Sequence, residues 1–279
     1  MRHNTTTQMM TFCCALLLLL CGVTLSKSAT IVQTPDSLPD TVTYPFRFVA
    51  YGDTRTQHQI HRAVVSGIVS QPNISAVFHV GDCVNANTIL EDWVTFFQII
   101  EPITNTTPFA VALGNHDCIS SPPSQYLEYF GLSKTYHAIW AVNHTVLFLV
   151  LDTTYQSTAV GSEQYLWLQG VLNQSEQYQT KWKFVFYHHP IWVSGGHGCG
   201  SQAKPFLPLF QSHHVTMVFA GDSHLYERIF PMYGPHWFVV GGGGAPLYYG
   251  QNFYPRWSAK FASIYHYAVI DVTETTVDV

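Results

Sequence analysis

The sequence predicts a single α/β domain, and three observations carry that expectation. Short apolar runs at 46–50, 76–80 and 109–113 alternate with stretches of helical spacing at 58–70 and 89–101. This β-α-β-α-β order implies parallel strands joined by right-handed crossovers. Each run is followed by a glycine and then by polar side chains: Gly52-Asp53, Gly81-Asp82 and Gly114-Asn115-His116-Asp117. The length of 279 residues suits one large domain or two small ones, and no linker, repeat or second core interrupts the pattern. One two-layered domain is the simplest reading.

Taken in order, residues 1–28 read as a secretory signal. Met1-Arg2-His3 is a short basic start, 12–23 an apolar core, and Ser26 and Ser28 are small residues suited to a cleavage point. An uncleaved anchor is the alternative, although the apolar run is shorter than the ~20 residues a spanning helix needs. Residues 29–44 are rich in Thr, Pro and Asp and form an extended lead-in to a domain over 45–279. In the first helix Ile60, Val64, Val65 and Ile68 share a face; in the second Trp93, Phe96, Phe97 and Ile100 do. Residues 118–134 read as a loop, and 135–141 with 145–152 as an antiparallel hairpin around Asn143. A helix over 162–173 precedes a strand at 183–187 tipped by His188-His189. A glycine-rich loop at 195–200, a short helix at 205–212 and a strand at 215–220 follow, the last tipped by Gly221-Asp222-Ser223-His224. Short strands at 227–231, 237–240 and 265–271 complete the chain, with four glycines at 241–244.

Composition narrows the function classes. Charged residues make up only 10% of the chain and aromatics 15%, while 15 His outnumber 12 Lys plus Arg. No basic patch marks a nucleic-acid partner. Low charge with much Ser, Thr, Asn and Tyr suits an extracellular surface, and Asn73, Asn105, Asn143 and Asn173 each begin an Asn-x-Ser/Thr site at an expected surface turn. Signal cleavage would move the formal charge from −5 to −7 and leave Cys83, Cys118 and Cys199. Cys83 with Cys118, Cys118 with Cys199, or three free thiols all remain open. The expected location is secreted, or the lumen of the secretory or lysosomal pathway, with no membrane span after cleavage.

Parallel strands end at one edge of a sheet, where α/β proteins bind ligands. Five strand tips therefore converge Asp53, Asp82, Asn115-His116, His188 and Asp222-Ser223-His224. Carboxylates, an amide and imidazoles without thiolates make a site for hard or borderline divalent metals.

The order and spacing of these motifs resemble the calcineurin-like metallophosphoesterases, including purple acid phosphatases, from about residue 46 to 271. Tyr226-Glu227-Arg228 and the turn Gly241-Gly242-Gly243-Gly244-Ala245-Pro246 share the likeness. The resemblance implies two mixed β-sheets packed as a sandwich and flanked by helices, a four-layer α/β/β/α arrangement holding two metals. It implies that Asp82 bridges the ions, that Asp53 and His224 belong to the first, and that Asn115 and His188 belong to the second, with His189 as the alternative to His188. It further implies that His116 donates a proton to the leaving oxygen while Asp117 orients its imidazole.

This chain departs from the family pattern at three positions. Arg55 stands where Asp-x-His is usual, Asn85 where purple members have a tyrosine, and Asp222 where the last motif begins with His. His61 is a candidate replacement for the first metal's missing ligand, and Asp222 remains a candidate ligand of the second. Arg55 suits phosphate oxygens, or alternatively a salt bridge with a metal-ligand carboxylate. Without the tyrosine the protein should be colourless even when loaded with iron. His197, in the glycine loop, is a candidate substrate contact.

The expected function is secreted, metal-dependent hydrolysis of a phosphomonoester on a phosphorylated small molecule, with two divalent ions (Mn, Fe, Zn or Mg) activating water. A phosphodiesterase acting on nucleotide, cyclic nucleotide or phospholipid is the alternative enzyme. A non-catalytic binding protein on the same scaffold is the rival from a different class.

Overall fold

In β1 (Phe46–Tyr51) successive side chains face opposite sides of the sheet. Phe46, Phe48 and Ala50 turn one way and Val49 and Tyr51 the other, and each set enters a different core. The computed structural model describes residues 38–39, 41–119, 121–231, 234–250 and 255–279. The expected signal segment and most of the lead-in lie outside the described residues.

β1 pairs in parallel with β2 (Ile74–His79), and β2 in parallel with β3 (Phe109–Val111). On its other edge β1 meets β11 (Ala268–Val272) antiparallel, and β11 carries β12 (Val277–Asp278). This five-stranded sheet is covered by α1 (His58–Val69), α2 (Leu90–Thr104) and α3 (Ser124–Tyr129). The second sheet has seven strands: β4 (His137–Ala141), β5 (Val146–Val150), β6 (Trp182–Tyr187), β7 (Met217–Ala220), β8 (Tyr226–Ile229), β9 (His236–Val240) and β10 (Ser258–Ala262). Their spatial order is β10-β8-β9-β7-β6-β5-β4, with β5, β6, β7 and β9 parallel. α4 (Glu163–Gln177) and α5 (Leu207–Ser212) cover its outer face.

Phenyl rings join the two sheets. Phe48 packs edge-on against Phe184 (4.9 Å between centroids) and Phe148 (5.3 Å), and Phe78 stacks on Phe186 at 4.2 Å. The structure is thus the four-layer sandwich that the family resemblance implies. The simpler two-layered expectation is corrected, because residues from 137 onward build a second sheet rather than extending the first.

Several local expectations are also corrected. α2 runs past residue 101 through Pro102, a last-turn position where a missing N–H does little harm. The expected loop at 118–134 contains α3, pinned by the buried Tyr126 hydroxyl donating to the Val111 carbonyl at 2.6 Å. All four glycosylation-type asparagines are exposed, but Asn173 lies inside α4 rather than in a turn. Of the alternatives left open for Cys83, Cys118 and Cys199, three free thiols is the one found. Among the described residues no helix is long and apolar enough to cross a membrane.

Candidate metal centre

The tips of β1, β2 and β7 share one backbone device. Asp53, Asp82 and Asp222 have φ of 57°, 58° and 62°, the left-handed region that Asp tolerates better than bulkier residues. This reversal turns each carboxylate back over the strand ends. The tips are also tied together. The Asp53 N–H donates to the Gly81 carbonyl at 2.9 Å, the Asp222 N–H to Asp53 Oδ1 at 3.0 Å, and the Gly221 N–H to the His188 carbonyl at 2.9 Å. Gly114 must be glycine because any Cβ there would overlap the backbone nitrogen of Asp82.

The expected donors gather around His188, which is fully buried. Its Nε2 lies 2.9 Å from Asn115 Oδ1, 3.3 Å from Asp82 Oδ1 and 3.8 Å from Asp222 Oδ1. Its Nδ1 bonds the Val80 carbonyl at 2.9 Å, which fixes the ring so that Nε2 faces the carboxylates. His224 repeats the arrangement: Nδ1 bonds the Pro246 carbonyl at 2.7 Å, and Nε2 sits 3.6 Å from Asp53 Oδ1. The ligand atoms of Asp53, Asp82 and His188 lie within 4.8 Å of one another, as do those of His188, His189 and Asp222. His189 is turned by Thr153, whose Oγ1 lies 3.2 Å from its Nδ1.

The electrostatics ask for a cation. Burial, with Asp82 and Asp222 adding to it and His188 opposing, pushes the Asp53 carboxyl well above the usual carboxylate range. Burial lowers the His188 pKa, but Asp82, Asp53 and Asp222 outweigh it and raise it to about 9. The field that holds a proton on His188 would equally favour a divalent ion. Asp53 Oδ2 is buried without a hydrogen-bond partner, as a carboxylate awaiting such an ion would be. The donor set is hard-to-borderline, so the residues present fit metal binding.

The remaining expected residues divide. Arg55 enters the site, its Nε 3.3 Å from Asp82 Oδ2 and its Nη1 3.5 Å from Asn85 Oδ1. His116 also lines the cavity, and its backbone N–H donates to Asp82 Oδ1 at 3.0 Å. Its ring is not oriented by Asp117, which corrects the expected role of that carboxylate. Nδ1 of His116 bonds the Asn85 carbonyl at 2.7 Å. Asp117 instead accepts the backbone N–H groups of Cys83 (2.8 Å), Gly114 (2.9 Å), Asp82 (3.0 Å) and Val84 (3.3 Å), clasping the tip of β2 to that of β3. His61 is not brought to the donors. It lies between sheet and helices, stacked on Phe96 at 5.8 Å, with Nε2 3.5 Å from the Tyr51 hydroxyl. Burial, with His58 and Arg62 adding, drops its pKa to about 3.

The site opens into a cavity of about 550 Å³ walled by His197, Gln202 and Tyr248 as well as the ligand loops. Tyr248 was not singled out from the sequence. Its ring stacks on His224 at 4.3 Å and its hydroxyl lies 3.0 Å from His197 Nε2, so it links a donor to the expected substrate contact. The one local signal was its place just after the Ala245-Pro246 turn.

Known proteins share this fold and part of this sequence. The model of the calcineurin-like phosphoesterase family matches residues 46–226. Purple acid phosphatase 21 of Arabidopsis thaliana is 30% identical over 190 residues, covering 59% of this chain and 42% of that protein. Probable inactive purple acid phosphatase 1 of the same plant is 29% identical, covering 66% of this chain and 36% of that one. The chain therefore spans about half the length, or less, of these curated relatives. A purple acid phosphatase from yellow lupin (Lupinus luteus) seeds superposes with a TM-score of 0.73 at 20% identity, covering 83% of this chain and 50% of that one, which shows the shared fold. With the family model spanning every strand tip that supplies a donor, the chain belongs to the calcineurin-like phosphoesterase family.

Proposed function

We propose that the protein is a secreted, metal-dependent hydrolase of phosphomonoesters on small molecules. The observation that carries this reading is His116, which the Asn85 carbonyl holds by Nδ1 at the wall of a carboxylate-lined cavity. A residue kept only to hold metal would not need that placement. Asp82, Asn115, His188 and Asp222 would hold one ion, and Asp53, Asp82 and His224 the other. When bound, such ions supply Lewis-acid polarisation of phosphoryl oxygens and acidify water. The chain's own residues do the rest. Arg55 presents its fork to phosphate oxygens, and His116 delivers a proton to the leaving oxygen. His197 and Tyr248 meet the remainder of the substrate. A cavity of about 550 Å³ suits a small phosphorylated molecule.

Secretion rests on the character of residues 1–28 and on the four exposed sequons. Two observations favour the non-catalytic alternative: Arg55 is engaged with Asp82, and some relatives carry the name "probable inactive". Assay of chromogenic mono- and diesters with Mn, Zn, Fe and Mg separates the readings. Monoester turnover that vanishes in Asp82→Ala supports the proposal. Bound metal with no turnover of any ester supports the binding protein, and preference for the diester supports the phosphodiesterase.

A further inference from the structure

The two donor groups that share Asp82 are unequally furnished. On one side Asn115 Oδ1 and the Oδ1 atoms of Asp82 and Asp222 all lie within 3.8 Å of His188 Nε2, and the ligand atoms of His188, His189 and Asp222 lie within 4.8 Å of one another. On the other side only Asp53 and His224 are unshared, at 3.6 Å from one another. There the third expected donor, Asp82 Oδ2, already faces Arg55 Nε at 3.3 Å. The side chain of Asn85, at the end of the β2 tip, does not reach the donors and instead accepts from Arg55 at 3.5 Å. His61, which could have completed this half, is stacked on Phe96 in the helix-side core.

Charge points the same way. Arg55 adds a guanidinium, which is permanently positive, beside the carboxyl that the two donor groups share. A second divalent ion would lie beside Arg55, and like charges repel. The Arg55 side chain is only 15% exposed, so solvent does little to screen it.

We propose that the protein holds one divalent ion tightly, between Asp82, Asn115, His188 and Asp222, and that the Arg55 guanidinium stands in for the second ion's charge beside Asp82, leaving the position at Asp53 and His224 weak. This rests on the metal-dependent reading above and sharpens it. Phosphate oxygens would then be clamped by one ion and one arginine rather than by two ions.

Metal stoichiometry tests the proposal without any turnover. The purified protein, stripped with chelator and titrated with Mn(II) by calorimetry and by dialysis with metal analysis, should bind one ion tightly. A second should bind at least about 100-fold more weakly. Arg55→Gln and Arg55→Ala, checked for folding by circular dichroism, should each tighten the second site by at least about 10-fold. Asp222→Ala should weaken the tight site and leave the Arg55 effect in place. Two ions of like affinity in the wild type would overturn the proposal while leaving the metal-dependent reading standing. So would a second site unmoved in both Arg55 variants. No ion bound by the folded wild type would overturn both.

Discussion

The two flanks of Asp82 are built on the same backbone and furnished differently. Asp53 and Asp222 occupy equivalent left-handed positions at the ends of β1 and β7, each just after a glycine. Around Asp222 lie His188 and His189, and Asn115 Oδ1 meets the same His188 Nε2. Around Asp53 lie His224, Asp82 and the shared His188, and across Asp82 stands an arginine that cannot donate to a cation. The scaffold that aims carboxylates is thus separable from the list of ligands they join.

The largest effect should come from the proposed proton donor, which belongs to neither flank. His116→Ala should lower kcat roughly 10²–10⁴-fold while metal content stays constant. The loss should shrink with substrates whose leaving group needs no proton, and comparison of aryl with alkyl phosphates reads this out. If metal content falls in parallel, His116 belongs to the ligand set and the division between flanks is wrong.

Next is the clasp that serves both flanks. Asp117→Ala removes the acceptor of four buried N–H groups. It should cost roughly 2–4 kcal/mol of stability in urea unfolding, because buried donors are left unpaired. A merely local role at the His116 ring would instead change rate and leave stability intact.

His61 tests whether the poorer flank has a hidden ligand. His61→Phe should leave metal content unchanged and move stability by less than about 1.5 kcal/mol, a near-isosteric exchange beside Phe96. The pH dependence should change as well. The ring is held neutral, with its pKa lowered from 6.5 to about 3, so the unfolded chain takes up a proton that the folded one refuses. Wild-type stability therefore falls as pH drops from 6.5 toward 3 by a contribution absent in the variant. Loss of metal in His61→Phe would restore it as a ligand.

The smallest effect is expected at the other end of β1, far from both flanks. Arg47 pairs with the half-exposed Asp271 across β1 and β11 at 2.7 Å, and its hydrogen bond holds that carboxyl below the usual range. Asp271→Asn should cost less than about 1 kcal/mol, since solvent screens the pair. That contribution is present above the unfolded carboxyl pKa and is lost as pH falls through the folded one. Metal uptake should not change, and a change would mean that the flanks respond to the whole sheet.

The tips were legible because each is announced locally. An apolar run such as 76–80 followed by Gly81-Asp82 states both a buried strand and its end. The parallel order of β1, β2 and β3 followed from the helices between them. What stayed illegible was set by distant partners. β10 and β12 are short, mixed stretches that become strands only because β8 and β11 offer them an edge. His61 has a helical position that suits a ligand or a core ring equally, and the choice is made by Phe96, thirty-five residues on in the sequence. The partner of the His116 ring is a main-chain carbonyl, which no side-chain pattern encodes. Tyr248 reaches the cavity through the backbone of its loop, where its N–H donates to the His224 carbonyl at 2.9 Å.

The Asp117 clasp should also let the protein fold before it takes up metal. Four main-chain N–H groups are gathered by a side chain, not by an ion, so the crevice can take shape while the chain folds in the absence of metal. Loading then becomes a late event, one that rearranges little backbone and can be reversed by a chelator without unfolding. Small zinc domains behave in the opposite way, since their metal supplies the folding free energy. Here an ion should raise the melting temperature only by mass action, in proportion to the logarithm of its free concentration.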